Sequence, residues 1–368
     1  MSRYLAITFL LLLLTIWNIS GQVSEETGTQ PGELFLRIKN INFVKNNEYF
    51  NPVIEGYTLL GFFFQPELVY APSGKVTLRA GTHLLRYSGA GKFSQIRPVF
   101  SISLNLSEKT SLTIGSLSGC DKHRLFDPHF DRERLYSAYA EDGLQLTTSN
   151  DHLFSDTWLS WENFIFKGDS IREVFTSGES FRYTSSPVAD FLRFEVPVQV
   201  QVKHFGGQIS NYPENVETCF NLATGLRINI DLGQKRYGQA GIEYLQFINN
   251  ELNGESSSGA SSGYASWLRL HYIYKSLYIG AAYWKAHNFY APNGNTIYSS
   301  VSDYQANVVI PDRQIISNFV YLTLLPESYL ELFLGLETYY DVDLKRLDNA
   351  ITVHLNFDKL IKLATVKH

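Results

Sequence analysis

Apolar and polar residues alternate with a period of two in segment after segment of this chain, and the one long apolar run lies at the N-terminus. Phe100, Ile102, Leu104 and Leu106 interleave with Ser101, Ser103 and Asn105. Leu192, Phe194, Val196, Val198, Val200 and Val202 interleave with Arg193, Glu195, Gln199, Gln201 and Lys203. The pattern returns in Leu226, Ile228 and Ile230 against Arg227, Asn229 and Asp231, and in Leu330, Leu332, Leu334 and Leu336 against Glu331, Gly335 and Glu337. Successive side chains of a strand point to opposite faces, so each segment makes a strand with one greasy and one polar face. The chain is 44% hydrophobic and 14% aromatic, yet spreads those residues evenly, as many short half-apolar strands require.

A soluble sandwich alternates too, so other features must identify the solvent. The segments approach the roughly nine to eleven residues that cross a bilayer at a tilt. Aromatic residues gather at segment ends, as in Tyr57 with Phe62, Trp158 with Trp161, Tyr272 with Tyr274 and Tyr339 with Tyr340, which is the habit of interfacial girdles. Connections alternate between short turns (71–75, 107–110, 149–152, 185–190, 232–236, 275–276, 326–328) and loops (43–56, 89–96, 119–138, 168–172, 205–218, 249–262, 289–312, 341–346) that are mostly longer. The expected fold is therefore all-β: a single transmembrane antiparallel β-barrel of about sixteen strands, with short periplasmic turns and long extracellular loops. An open sheet edge in hydrocarbon would strand backbone groups at several kcal/mol each, so the sheet must close.

Residues 1–21 read as a signal peptide, with Arg3 before an apolar stretch from Leu5 to Trp17 and small residues Ser20 and Gly21 at the cleavage point. That run is too short for a spanning helix. Residues 22–32 read as a short periplasmic linker, 33–357 as the barrel, and 358–368 as a C-terminal tail after Phe357. The expected location is the outer membrane of a Gram-negative cell.

The stretches Asn47–Gly61, Trp158–Gly178 and Phe194–Gln208 resemble uncharacterised outer-membrane barrel proteins of Bacteroidota. That resemblance implies a porin-like barrel in the outer membrane and brings no activity or site residues with it.

If the apolar phase meets lipid, the opposite phase lines the lumen. Candidate pore-lining residues are Arg79, His83, Glu162, Arg193, Glu195, Lys203, Arg227, Glu243, Arg269, Glu331 and Glu337, with Asp231 and His271 in the same phase. Charges are costly against hydrocarbon, about 2–4 kcal/mol for Arg or Lys at the midplane, so so many in one phase imply a wet interior. Loop 119–138 carries the densest charge, and Asp121, Lys122, Arg124, Asp131, Arg132 and Arg134 make it a candidate constriction. Its acids and histidines are interleaved with arginines, which disfavours a metal site. Cys120 and Cys219, the two cysteines, are a candidate disulfide for an exported chain.

A net charge of −5 is too mild to suggest nucleic acid as a partner. No motif of the G-x-S-x-G kind marks a nucleophile, because the Gly/Ser tract 254–263 lies between two strands and reads as an external loop, and no phosphate loop appears, so a non-enzyme without catalytic residues, metal or cofactor is expected. The functional expectation is a channel for passive diffusion of small hydrophilic solutes. The alternative is a non-conducting barrel that scaffolds a surface or secretion complex. Outer-membrane lipid is the expected environment, and a homo-oligomer stays open.

Overall fold

The computed structural model describes residues 31–366 apart from 208, 214, 234–236, 254–258 and 328. The expected signal peptide and most of the linker lie outside the described residues, as do parts of the turns 232–236 and 326–328.

Sixteen strands form a closed antiparallel barrel in which each pairs with its sequence neighbours and the first pairs with the last. They are β1 (Glu33–Glu48), β2 (Thr58–Ser73), β3 (Val76–Tyr87), β4 (Gln95–Asn105), β5 (Thr110–Ser116) and β6 (Asp142–Ser149). The wall continues with β7 (Leu153–Asn163), β8 (Glu173–Thr184), β9 (Leu192–Gly206), β10 (Glu217–Asp231) and β11 (Gln239–Glu251). It closes through β12 (Ser262–Tyr274), β13 (Leu277–His287), β14 (Asp312–Glu327), β15 (Leu330–Asp341) and β16 (Arg346–Thr365).

The phase of the alternation is the expected one. On β4, Phe100 is 60% exposed on the outer wall while Ser101 is fully buried inside. On β9, Gln199, Gln201 and Lys203 are buried in the lumen while the interleaved valines face outward. A one-residue slip would reverse every such pair, so the outer apolar band holds the register.

The C-terminus departs from expectation. Residues 358–365 are not a tail: β16 runs on to Thr365 and stays paired with β1, from Asp358 opposite Lys39 to Thr365 opposite Glu33. β1 begins at Glu33, so its backbone edge needs a partner that far along the closing seam, and the seam also carries an ion pair in which Arg37 Nη2 donates to Asp358 Oδ2 at 2.8 Å.

A sixteen-strand barrel is ordinarily wide enough for an aqueous channel. Here the outer half of the lumen is filled by two inward-folded loops, 117–141 between β5 and β6 and 288–311 between β13 and β14. Phe126 from the first, and Phe289, Ile297 and Tyr298 from the second, pack with Phe247, Trp267, Trp284 and Tyr339 of the wall in one buried cluster. A second cluster joins Cys120, Phe130, Tyr136 and Tyr139 of the first loop to Ile41, Phe43, Phe63 and Leu85.

Candidate functional site

Loop 117–141 crosses the whole lumen and is held at each landing. Its entry needs glycine: Gly119 has φ +116°, and a Cβ there would lie 2.5 Å from the Tyr139 ring. His123 then bridges Asp156 Oδ2 and Glu141 Oε2, both at 2.9 Å, with its ring stacked 4.0 Å from that of Trp158. Arg124 lies over Phe154, and Glu133 on the far side meets Lys45 at 3.2 Å and also bonds Asn47 and Tyr57. The two loops are stitched together by Asp131 N–H to the Asn293 carbonyl at 2.7 Å and Asn295 N–H to the Asp127 carbonyl at 2.9 Å. The loop expected to constrict the lumen does reach across it; what the alternation could not convey is that the 288–311 loop joins it.

The candidate lumen residues separate into local networks. Arg227 pairs with Glu195 at 3.0 Å and Glu243 at 2.9 Å, and Arg269 Nε donates to Glu243 at 3.0 Å, forming a charged network in the periplasmic half. Higher up, Lys203 donates to Glu162 at 2.9 Å and to Asn293 at 2.7 Å, so it anchors a loop. Glu337 accepts from the hydroxyls of Tyr321 and Tyr339. Near β2, Arg79 donates to Ser101 Oγ at 2.8 Å and His83 meets Gln65 at 2.8 Å. Arg193 and Glu331 sit apart from these networks, toward the periplasmic ends of their strands. In the loop, Arg132 pairs with Asp127 at 2.8 Å, Arg134 lies 3.3 Å from Asn293, and Asp121 and Lys122 remain half-exposed neighbours 3.7 Å apart.

The expected disulfide is absent. Cys120 and Cys219 are free and buried. Cys120 is drawn into the apolar cluster against β1 to β3, whereas Cys219 sits on β10 with its Sγ 3.6 Å from Asn221 Oδ1. Reaching across the mouth moved Cys120 away from Cys219.

A site that the alternation hid lies on the outer wall. Across β11 to β14, three lateral rows of outward-facing residues stand one above another. Tyr244, Leu268, Tyr283 and Ile316 form an apolar row; Gln246, Ser266, Lys285 and Gln314 form a polar row above it. Nearest the extracellular loops come Ile248, Tyr264, His287 and Asp312. In this top row His287 Nδ1 lies 2.8 Å from Asp312 Oδ1, and the Asn288 amide nitrogen lies 3.3 Å from Nε2. Because that amide only donates, Nε2 is the acceptor and Nδ1 carries the proton to Asp312. The Tyr264 ring flanks the imidazole at 5.5 Å. His287 is 42% exposed and Asp312 80%, so the pair is open to a ligand in the outer leaflet. The sequence signal was present: Lys285 and His287 break the apolar phase of β13 at one end. Among the described residues, no group of three or more His, Cys, Asp and Glu converges as a metal-binding set.

The fold and its girdled wall define an outer-membrane multi-pass β-barrel. OmpTdeltaL8, a loop L8 deletion mutant of OmpT from Vibrio cholerae, is similar at TM-score 0.53 and 11% identity, over 89% of this chain and 99% of that one. OprD from Pseudomonas aeruginosa is similar at TM-score 0.53 and 12% identity, over 95% and 99%. OccK8 (OprE) from the same organism is similar at TM-score 0.52 and 11% identity, over 91% and 100%. These likenesses concern the fold. No curated protein matches in a sequence search.

Residues 25–366 match the Lipid A 3'-O-deacylase-type family, and the chain belongs to it. The expectation of a non-enzyme is thereby overturned, because the family is described by an enzymatic activity. The expectation rested on the lack of a motif local in sequence, which a site assembled from separate strands need not contain.

Proposed function

We propose that the protein is an outer-leaflet esterase that removes an ester-linked acyl chain from a lipid A-type glycolipid. The observation that carries this reading is the His287–Asp312 pair, aimed at lipid directly above a polar row and an apolar row. An acylated glycolipid in the outer leaflet has the same order: acyl chains against Leu268, Tyr283 and Ile316, ester linkages level with Lys285 and Gln314, and the sugar at His287 and Asp312. The family's description supports the same chemistry.

In this mechanism the Asn288 amide yields His287 Nε2 to a water, and Nε2 takes that water's proton as the water oxygen bonds to the ester carbonyl carbon. Asp312 stabilises the resulting imidazolium, and the Lys285 ammonium sits one row below to meet the developing negative charge. Collapse of the tetrahedral intermediate breaks the bond to the sugar oxygen, which takes the proton back from His287. The products are a free fatty acid and a glycolipid hydroxyl. The full mature chain in mixed micelles with lipid A is expected to release fatty acid, detected by mass spectrometry. His287→Ala and Asp312→Asn are expected to slow release by about 10²–10⁴-fold while the barrel stays heat-modifiable. A folded wild-type protein that releases none overturns the proposal.

A second reading, passive diffusion of small hydrophilic solutes, has the charged lumen wall in its favour, with Arg227, Glu195, Glu243 and Arg269 lining the periplasmic half. It requires both inward loops to leave the outer half. Steady conductance of the wild-type barrel in planar bilayers would favour it over the esterase.

A further inference from the structure

The lipid-facing wall carries an acid at mid-height. Glu179 lies on β8 midway between Phe175 and Tyr183, which share its phase. That phase follows from its neighbours: Ser180 is buried inside opposite Asp156, so Glu179 and its ladder partners, Thr157 on β7 and Val200 on β9, face outward. A charge on this face is costly, and most so near the midplane. The wall around it is otherwise aliphatic, with Leu146 and Leu159 on one side and Val198 and Val202 on the other.

The chain meets the needs of this carboxylate only in part. Ser155 Oγ donates to Glu179 Oε1 at 2.8 Å, and Thr157 Oγ1 donates to Oε2. Among the described residues no Lys, Arg or His pairs with it. A carboxylate accepts about four hydrogen bonds, so others are left toward the bilayer, where acyl chains donate none. An acid in this position calls for a cover that supplies donors.

The make-up of the patch argues for a second copy of the chain as that cover. Two copies in one membrane share an orientation, so a two-fold contact turns about an axis along the bilayer normal and brings like heights together. Such a contact has to be self-complementary. Here the acceptor Glu179 is set among the outward hydroxyls of Thr148, Ser155, Thr157 and Ser177. Rotation about Thr157 sets β8 of each copy against β6 of the other, with the two carboxylates on opposite sides of the axis rather than against one another. Each then faces hydroxyl-bearing wall, and the short Ser and Thr side chains let the two backbones approach closely.

We infer that β6 to β8 form the face on which two copies of this barrel pair in the outer membrane, Glu179 of each accepting hydrogen bonds from hydroxyls of the other. The face shares no residue with the His287–Asp312 rows, and the inference does not rest on the esterase reading.

Oxidative cross-linking in outer membranes of cells producing the full chain tests it. Leu159→Cys, next to Thr157 in the same phase, is expected to give a covalent dimer, because the two native cysteines are buried and do not compete. Leu334→Cys, outward on β15 and diametrically opposite β7 in the ring of sixteen, is expected to give at least about tenfold less. Adding Glu179→Leu to Leu159→Cys is expected to lower the dimer about tenfold as well. The same change should raise the temperature at which the heat-modifiable band converts, because leucine suits lipid better than an acid. Glu179→Gln still accepts a hydrogen bond and is expected to keep most of the dimer. The inference is overturned if Leu159→Cys stays monomeric, if Leu334→Cys cross-links equally, or if Glu179→Leu leaves the dimer intact. Cross-linking of Leu159→Cys to a different protein in place of its own copy would overturn it too.

Discussion

Gln199 of the wall holds Phe126 of the plug: its Oε1 accepts the Phe126 backbone N–H at 3.0 Å, and its Nε2 donates to the Arg124 carbonyl at 3.0 Å. One amide from β9 thus satisfies two backbone groups in the middle of loop 117–141. It connects the alternation of the strand to the closure of the lumen.

Adjacent positions on β9 should therefore fail in different ways. Val198→Arg turns a charge toward lipid, at about 2–4 kcal/mol near the midplane, and should deplete the folded, heat-modifiable form. Alternation alone marks Gln199→Arg as harmless, because it faces the lumen. For assembly of the wall that expectation is kept, but Gln199 is 2% exposed and bonded to the loop, so the effect is expected on the loop's seating. Gln199→Arg and Gln199→Ala should leave a folded barrel whose loop is cut by trypsin at Arg124 or Arg132. Resistance equal to wild type would show that Gln199 does not hold the loop.

Closure by two loops predicts a further asymmetry. Replacing 121–138 with a short Gly-Ser linker removes Phe126 and the Asp131–Asn293 stitch, leaving the 288–311 loop supported by its wall contacts alone. The replaced barrel should conduct in planar bilayers far more than wild type. Equal conductance would mean that the 288–311 loop closes the lumen unaided.

The wall was legible in the sequence and the interior was not, for one physical reason. Strand phase is set residue by residue against lipid, so Phe100 outward and Ser101 inward follow from period two. Contacts between loops and wall depend on side chains far apart in the chain, such as Lys203 with Asn293 or Tyr136 with His354, and no local pattern encodes them. The His287–Asp312 pair fell between the two. Its residues terminate separate strands, and only the antiparallel register of β13 with β14 places them side by side.

The cysteines give a simple check on how the loop is seated. Cys120 is 1% exposed and Cys219 6%, and they sit in different regions of the lumen. Burial pushes the Cys120 thiol well above its ordinary range, which lowers its reactivity further. The native protein should resist maleimide labelling, and the denatured, unreduced protein should take up two labels per chain. Fewer than two after denaturation would restore the disulfide and contradict this loop path.

The last prediction concerns the landing of the loop at His123. Burial alone would lower the pKa of this imidazole, but its bonds to Asp156 and Glu141 outweigh burial and lift it to about 9 from 6.5. Both ring nitrogens then donate to carboxylates, and the imidazolium is the group that lets those two acids lie buried together. Gln145 also donates to Asp156 at 3.0 Å, and Arg134 lies 3.9 Å from Glu141, so the acids keep partial support when the histidine is neutral. Because the folded value is raised, the stabilisation is complete below about pH 6.5 and is lost as pH rises through about 9. The temperature at which the heat-modifiable band converts should fall across that window in wild type. His123→Gln, neutral at every pH, should start lower and lose the step. Parallel curves for the two proteins would show that another group titrates and that His123 is not the latch.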